Sequence, residues 1–417
     1  MLTKAPKGTK DVLPAQVFKW HYVEKKYKEV CDRFGFKEMR TPVFEHTELF
    51  YRSVGDTTDI VEKQMYTFDD MAGRSLTLRP EGTASIARAF VENKLYADIQ
   101  PSKYWYEIPC YRYEKPQSGR LREFHQFGIE IFGTDNMIAD TEVIALADTF
   151  LRGLGIDDLE LLINNIGCKE CREVYRKVLQ DFLKPNYDKL CDTCKIRYEK
   201  NPMRILDCKS PECGEIVKGA PVMLDYLCDE CRLAFEDLKK DLDATGVEYT
   251  VDAGIVRGLD YYTKTAFEFI SGKLGSQSTV CGGGRYDYLI EELGGPPIPG
   301  VGFGLGIERL LMILDACDID IPETESPDIL VAFIGDEAKI KALTLLQELR
   351  ESGFIAEIDS LGRNIKGQFK YANRLDTKYT VIIGEEELKS GKATLKDMRS
   401  GEQEKVDFNA IGDRIKE

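Results

Sequence analysis

Apolar residues recur at helical spacing near the start of the chain. Val17, Trp20, Val23, Tyr27 and Val30 predict an amphipathic helix from Gln16 to Phe34, and Gly8, Asp11 and Pro14 keep it from starting earlier. Further along, the period shortens. The stretch from Tyr104 to Gly133 reads as two β-runs rich in Tyr, Ile and Phe, joined by a loop with Pro116, Ser118 and Gly119. Alternation sets Arg112 and Glu114 on one face of the first run, and Gln126 and Glu130 on one face of the second. Arg120 and Arg122 lie in or beside the loop. Burying such a face against apolar groups is expensive. It reads as the floor of a site for a ligand with phosphate or carboxylate on one side and a polar group on the other; a solvated face on an antiparallel hairpin is the alternative, weakened by the same polar residues recurring in three other segments.

The remaining pattern frames this hairpin. FKEMRTPVFEHTELF carries Pro42 on a predicted strand, an edge or interface position. LTLRPEGT, from Leu76 to Thr83, is a short strand turning into a helix over Thr83–Val91. Glu81 and Thr83 stand at that helix start, where exposed backbone N–H groups collect; a cap accounts for Thr83 and less readily for Glu81. Then follow a helix over Asp140–Leu154, a strand over Leu159–Asn164, and a polar loop leading to a strand over Thr265–Ile270. SQSTVCGGGRYD is a strand ending in three glycines. GVGFGLGIERLLMIL, from Gly300 to Leu314, runs from a glycine-rich strand into an apolar helix, with Glu308 and Arg309 near its start. Its glycines alternate and do not form the G-x-G-x-x-G of a dinucleotide site. The acidic segment DIDIPETESPD, with Pro322 and Pro327, precedes a closing βαβαβ pattern.

Composition narrows the function. The chain has 417 residues, 43% hydrophobic and 31% charged, enough for two or three domains. A net charge of −15 argues against gripping nucleic acid through overall charge, and no DNA partner is expected. RNA is compatible only with a local basic surface such as the loop around Arg120 and Arg122. No apolar run reaches membrane-spanning length and the N-terminus has no apolar signal core, so a cytoplasmic location without membrane association is expected. Twelve cysteines in such a chain point to reduced thiols or metal ligation. Eight of them lie between Cys168 and Cys231, as C-x-x-C at 168/171, 191/194 and 228/231 and C-x4-C at 208/213. The helical, charged segments around them mark residues 166–242 as an inserted domain. The expected zinc ligands are Cys191, Cys194, Cys228 and Cys231, with Cys208 and Cys213 as substitutes or a second half-site; buried reduced thiols are the alternative.

Several phrases carry a family resemblance. Tyr111-Arg112-x-Glu114, the loop, Gly119-Arg120 and Phe124 resemble motif 2 of the class II aminoacyl-tRNA synthetases, and REFHQFGIE (Arg122 to Glu130) resembles its histidyl-tRNA synthetase form. FKEMRTPVFEHTELF resembles motif 1, a dimer-forming element, and GVGFGLGIERLLMIL resembles motif 3, whose arginine binds ATP. RGLDYYTKTAFEF (Arg257 to Phe269) and GGGRYD (Gly282 to Asp287) match two histidine-specific signatures, and NPMRILDCK resembles the insertion of the bacterial enzymes. The resemblance implies an α+β fold: a class II antiparallel-sheet catalytic domain in two parts (1–165 and 243–322), a helical Cys-rich insertion (166–242), and a C-terminal α/β anticodon-binding domain (327–417). It implies a homodimer that uses ATP with Mg2+ to convert L-histidine to histidyl-adenylate, then passes the acyl group to the 3′ end of tRNA(His).

Residue by residue, the resemblance makes Arg112, Arg257 and Arg309 catalytic. Arg112 would bridge the histidine carboxylate and the α-phosphate, with Arg257 at the same phosphate. Arg309 and Arg120 would hold ATP towards its phosphate tail, and Glu114 and Phe124 would complete the ATP site. Glu81, Gly82, Thr83 and Gln126 would take the ammonium and carboxylate end of histidine, and Glu130, Tyr261 and Tyr262 would surround the imidazole. The rival reading is a non-catalytic relative: a regulatory subunit of ATP phosphoribosyltransferase or an uncharged-tRNA sensor. Eroded signatures are expected of such a protein, whereas Arg112, Arg257, Arg309 and both histidine signatures stand intact here. A zinc-ribbon nucleic-acid module would explain only the insertion.

Overall fold

A computed structural model describes residues 3–55, 58, 60–206, 208, 210–273, 279–323 and 326–416. The first residues of SQSTVCGGGRYD (276–278) and part of the acidic boundary segment thus lie outside the described residues. The chain divides into two compact units, Met1–Pro322 and Glu323–Glu417.

The first unit opens with α1 (Pro14–Arg33), β1 (Lys37–Glu38), β2 (Phe44–His46), α2 (Thr47–Val54), β3 (Tyr66–Asp69), β4 (Ser75–Leu78) and α3 (Thr83–Glu92). Next come β5 (Ser102–Tyr111), β6 (Glu123–Phe132), α4 (Met137–Gly153) and β7 (Leu159–Asn165). Four helices follow: α5 (Lys169–Leu183), α6 (Asp192–Lys200), α7 (Pro211–Val217) and α8 (Asp229–Thr245). The unit closes with β8 (Thr250–Val251), β9 (Thr263–Ser271), β10 (Thr279–Arg285), α9 (Leu289–Glu292), β11 (Gly300–Gly306) and α10 (Ile307–Ala316). Among the described residues, its main sheet has the order β1-β5-β6-β11-β10-β9-β7-β8, antiparallel through the centre and parallel at both edges. A second sheet, β2-β4-β3, lies outside it.

The two faces of the main sheet differ because β6 alternates. Phe127, Ile129 and Ile131 enter the large core with Val23, Tyr27 and Val30 of α1. Tyr27 stacks on Phe127 at 4.2 Å and meets Trp105 and Phe150 edge-on, so the α1 periodicity is a packing pattern. Pro14 begins α1, where a missing N–H leaves no bond unmade. The opposite face carries Gln126 and Glu130, and there lies the site. FKEMRTPVFEHTELF departs from expectation: it forms two short strands and then α2. Pro42 has no N–H to extend the ladder; instead its carbonyl accepts from the Arg79 guanidinium at 2.9 Å.

The inserted helices have a small core of their own, in which Tyr175, Leu179 and Ile205 pack with Cys171, Cys194 and Cys231. α8 is shared, since Phe235, Leu238 and Leu242 complete the core of the main sheet. The second unit contains β12 (Ile329–Phe333), α11 (Asp336–Glu351), β13 (Ala356–Ile358), α12 (Ile365–Leu375) and β14 (Tyr379–Ile383), the anticipated βαβαβ unit. Two further antiparallel strands, β15 (Lys392–Asp397) and β16 (Gln403–Asp407), extend its sheet. Their charged outward positions concealed them from the hydrophobic pattern.

The arginine of GGGRYD is structural. Arg285 and Asp140 form a fully buried ion pair, each with 0% side-chain exposure. Arg285 also donates to the carbonyls of Thr134 and Asn136 at 2.9 and 3.3 Å. Asp140 lies in the first turn of α4, so this pair fastens β10 to the helix start. Removing one partner of a buried pair strands the other's charge, at a cost of about 3–5 kcal/mol. Asp140→Ala should therefore lower the urea midpoint of the first unit by that much stability; a loss under about 1 kcal/mol would mean that water solvates Arg285 easily.

Candidate active site

The strand ends beside the β5–β6 hairpin open into a cavity of about 600 Å3. Six arginines and two glutamates line it: Arg112, Arg120, Arg197, Arg204, Arg257 and Arg309, with Glu114 and Glu308. Phe124 and Gln126 also face it. Arg112 follows β5 directly; its Nε donates to the Pro80 carbonyl at 2.8 Å and its guanidinium covers the Phe124 ring at 5.1 Å. Arg309, in the first turn of α10, donates to the carbonyls of Thr279 and Gly119 at 2.7 and 3.3 Å. Glu114 lies 3.6 Å from Arg120. Arg257 pairs with Glu268 of β9 and lies over the Tyr262 ring at 5.2 Å, while its buried Nε has no hydrogen-bond partner among the described residues. Burial, and after it the charge of Arg120, pull the pKa of Arg309 below its usual value. Cations gathered this way are a site for a polyanion. Arg122, grouped with Arg120 from the sequence, does not line the cavity; its guanidinium stacks on Tyr113 at 3.9 Å.

The other expected residues form a buried polar cluster beside the cavity. Glu81 caps α3 after all: its carboxylate accepts from the backbone N–H groups of Thr83 and Ala84, both at 2.8 Å. Gly82 N–H donates to Gln126 Oε1 at 3.1 Å. Glu130 is completely buried and accepts from the hydroxyls of Tyr106, at 3.0 Å, and Tyr286. Burial raises its pKa to about 8, although the hydroxyls of Tyr286, Thr83 and Tyr106 favour the anion. Tyr261 and Tyr262 are buried with ring centroids 4.6 Å apart, and Tyr286 meets Tyr261 edge-on at 5.4 Å. Tyr106, Tyr286 and Glu268 were not singled out from the sequence. In a strand an aromatic residue reads as core; only its neighbourhood with Glu130 gives it away.

The insertion supplies Arg197 and Arg204 to the cavity, and its cysteines correct the expected pairing. Cys191, Cys194, Cys228 and Cys231 do not form one site. Cys168, Cys171, Cys228 and Cys231 converge at the root, and Cys191, Cys194, Cys208 and Cys213 at the tip; within each quartet the sulfurs lie within 4.8 Å of one another. The reason is topological: the chain leaves the main sheet after β7 and returns through α8, so the first and last C-x-x-C pairs meet at the neck.

Comparisons with known proteins find similar proteins along the whole chain. A histidyl-tRNA synthetase family profile matches residues 8–189 and 220–310, and an anticodon binding domain profile matches 328–417. The tip cysteines fall between the two matched segments. A histidine–tRNA ligase of Caldanaerobacter subterraneus subsp. tengcongensis is 59% identical over 416 residues, covering 100% of both chains. The solved structure of apo S. aureus histidyl-tRNA synthetase aligns with a TM-score of 0.86 at 39% identity, over 99% of this chain and 100% of that one. An ATP phosphoribosyltransferase regulatory subunit/histidyl-tRNA synthetase from Bacillus halodurans C aligns at 0.66 with 23% identity, over 92% of this chain and 98% of that one; that likeness is one of fold alone. No helix among the described residues is long and apolar enough to cross a membrane.

The burial of Glu130 sets a pH dependence. Its folded pKa of about 8 exceeds the ordinary 4.5, so the folded chain holds a proton that the unfolded chain releases. The stabilisation is complete below about pH 4.5 and is lost as pH rises through about 8. In Glu130→Gln, unfolding free energy measured in urea from pH 5 to 8 should lack this decline, which amounts to at most about 1.4 kcal/mol per pH unit. Parallel profiles for the two proteins would show that Glu130 is ionised throughout.

Proposed function

The chain belongs to the histidyl-tRNA synthetase family and carries out its reaction, the ATP-dependent activation of L-histidine and its transfer to tRNA(His); from that premise we propose how its residues divide the work. The supporting observation is the arginine-lined cavity beside a closed, tyrosine-rich polar pocket. ATP takes the cavity, with Arg112 and Arg257 at the α-phosphate and Arg309 and Arg120 towards the phosphate tail. Glu114 and Phe124 complete the ATP site. Histidine enters between cavity and pocket. Its ammonium and carboxylate end meets Glu81, Gly82, Thr83 and Gln126, and its imidazole meets Glu130, Tyr261 and Tyr262. Tyr106 and Tyr286 orient Glu130.

A histidine carboxylate oxygen then attacks the α-phosphorus, the bond to the β-phosphate oxygen breaks, and pyrophosphate leaves. The transition state spreads negative charge over the phosphoryl oxygens, and preformed guanidinium groups stabilise it without a protein nucleophile. A terminal ribose hydroxyl of tRNA(His) afterwards takes the acyl group and AMP departs. Mg2+ would neutralise part of the phosphate charge; Glu114 and Glu308 in the lining suit an ion bound mainly by phosphates. The cysteine quartets suit structural Zn2+.

The assignment extends to the whole chain. The catalytic domain comprises 1–165 and 243–322, the insertion 166–242, and the anticodon-binding domain 327–417. Phe44, Tyr51, Phe68 and Met71 expose apolar surface in and beside the β2-β4-β3 sheet, which supports a homodimer joined through this motif 1 region. Free cysteines throughout suit the cytoplasm. Full-length identity with a ligase, together with intact arginines, favours the enzyme over a regulatory subunit.

Two measurements test this reading. Arg257→Ala should slow histidine-dependent ATP–pyrophosphate exchange at least about a hundredfold, equivalent to ~3 kcal/mol, in protein that remains folded, although the unpaired Glu268 lowers its urea midpoint; near-normal exchange would remove Arg257 from the catalytic set. Sedimentation at micromolar concentration should give a dimer, and a stable, active monomer would refute the motif 1 interface.

A further inference from the structure

The insertion joins a metal-like sulfur geometry to two arginines of the ATP cavity. At the root, Cys168 Sγ lies 3.5 Å from Cys171 Sγ and 4.0 Å from Cys228 Sγ; at the tip, Cys191 Sγ and Cys208 Sγ are 3.9 Å apart. A disulfide would need about 2.05 Å. Four thiolates about 2.3 Å from a tetrahedral zinc have edges of about 3.8 Å. Cys168, Cys191 and Cys228 each stand at a helix N-cap, of α5, α6 and α8. Backbone N–H groups of Cys228 and Cys191 point at the sulfurs of Cys171 and Cys213, at 3.1 and 3.3 Å. Among the described residues neither quartet contains a histidine or carboxylate, which is the composition of a closed structural site.

The tip quartet grips both ends of a segment with a task. Between Cys194 and Cys208 the chain carries Arg197 on α6 and Arg204 in the turn Pro202–Ile205. Arg204 pairs with Asp260 at 3.1 Å and donates to the Gly258 carbonyl at 2.7 Å, beside Arg257. Asn201 donates to the same Asp260 oxygen at 3.1 Å, and Arg197 donates to the Arg204 carbonyl at 3.2 Å. The same segment is also tied to α5, where Gln180 donates to the Tyr198 carbonyl at 2.8 Å and the Tyr198 hydroxyl donates to the Gln180 carbonyl at 3.2 Å; but cysteines make up a large part of the insertion's buried core, and so small a core needs staples.

We propose that each quartet binds one zinc ion, and that the tip ion keeps Arg197 and Arg204 in the cavity to meet the phosphate tail of ATP. The tip cysteines are thus positioning residues for a reaction they do not touch. The ion count stands by itself; the role of the arginines rests on the ATP site proposed above.

The test uses the full chain purified without chelator. Elemental analysis should find about two zinc per chain, and about one in Cys208→Ser/Cys213→Ser. Cobalt replacement should give the visible bands of tetrahedral thiolate-bound Co2+, halved in that variant. In pyrophosphate exchange, Arg197→Ala/Arg204→Ala should keep both ions and raise the KM for ATP about tenfold or more, with the KM for histidine little changed. The tip-cysteine variant should raise the same KM, and combining the two sets should add nothing further. Arg197→Lys should recover part of the affinity. Less than one zinc per chain, iron in its place, or two disulfides by thiol titration would overturn the metal sites. An unchanged KM for ATP in the arginine variant, or a rise only in the KM for tRNA during aminoacylation, would overturn the role of the tip ion. Absence of histidine-dependent exchange in the wild-type chain would instead overturn the site assignment and leave the zinc count standing.

Discussion

Six guanidinium groups facing one cavity repel one another, and much of the surrounding structure is an arrangement for holding them there. Two means are used. Backbone carbonyls of Pro80, Thr279 and Gly119 hold Arg112 and Arg309; a carbonyl fixes the planar group without cancelling its charge. Arg197 likewise donates to the Arg204 carbonyl, and carboxylates hold the other three, with Glu268 on Arg257, Glu114 on Arg120 and Asp260 on Arg204. An acidic chain can therefore concentrate positive potential at one cavity, while its net charge of −15 says nothing about that place.

The same chemistry serves stability where the pair is closed off. Arg285 has a carboxylate, two carbonyls and no exposure, so its charge is spent inside the protein. Arg79 is likewise buried against the carbonyls of Thr41, Pro42 and Pro109. Nothing in the local sequence separates these structural arginines from Arg257, which also sits in a signature phrase. The distinction is one of environment, and it appears only when distant segments are brought together.

Legibility followed the range of the forces involved. Helices such as α1 and α4 are readable to within a few residues because burial of one face repeats every turn. The β5–β6 hairpin and its polar face were readable because alternation is local. The cysteines were not, because spacing favours neighbours in sequence, whereas the neck of an inserted segment joins its two ends. Glu81 reads from the sequence more readily as a ligand group than as a cap, yet its two oxygens satisfy the start of α3. Tyr106 and Tyr286 read as core, and most of their surface is core; only their hydroxyls reach the Glu130 carboxylate.

β11 condenses the argument into one strand. Val301, Phe303 and Leu305 enter the main core, while Gly300, Gly302, Gly304 and Gly306 alternate with them. A Cβ at Gly302 would overlap the Glu130 carboxylate, and one at Gly304 would overlap the Gln126 amide. The glycines are therefore the complement of the polar face of β6, across the ladder that pairs Gly302 with Glu130 and Gly306 with Gln126. A polar side chain lying flat on a sheet needs an empty neighbour, since the strands are only about 4.8 Å apart. GVGFGLG thus states two requirements at once, a packed face and a vacant one. The alternation that excluded a dinucleotide fingerprint is itself the trace of a polar floor.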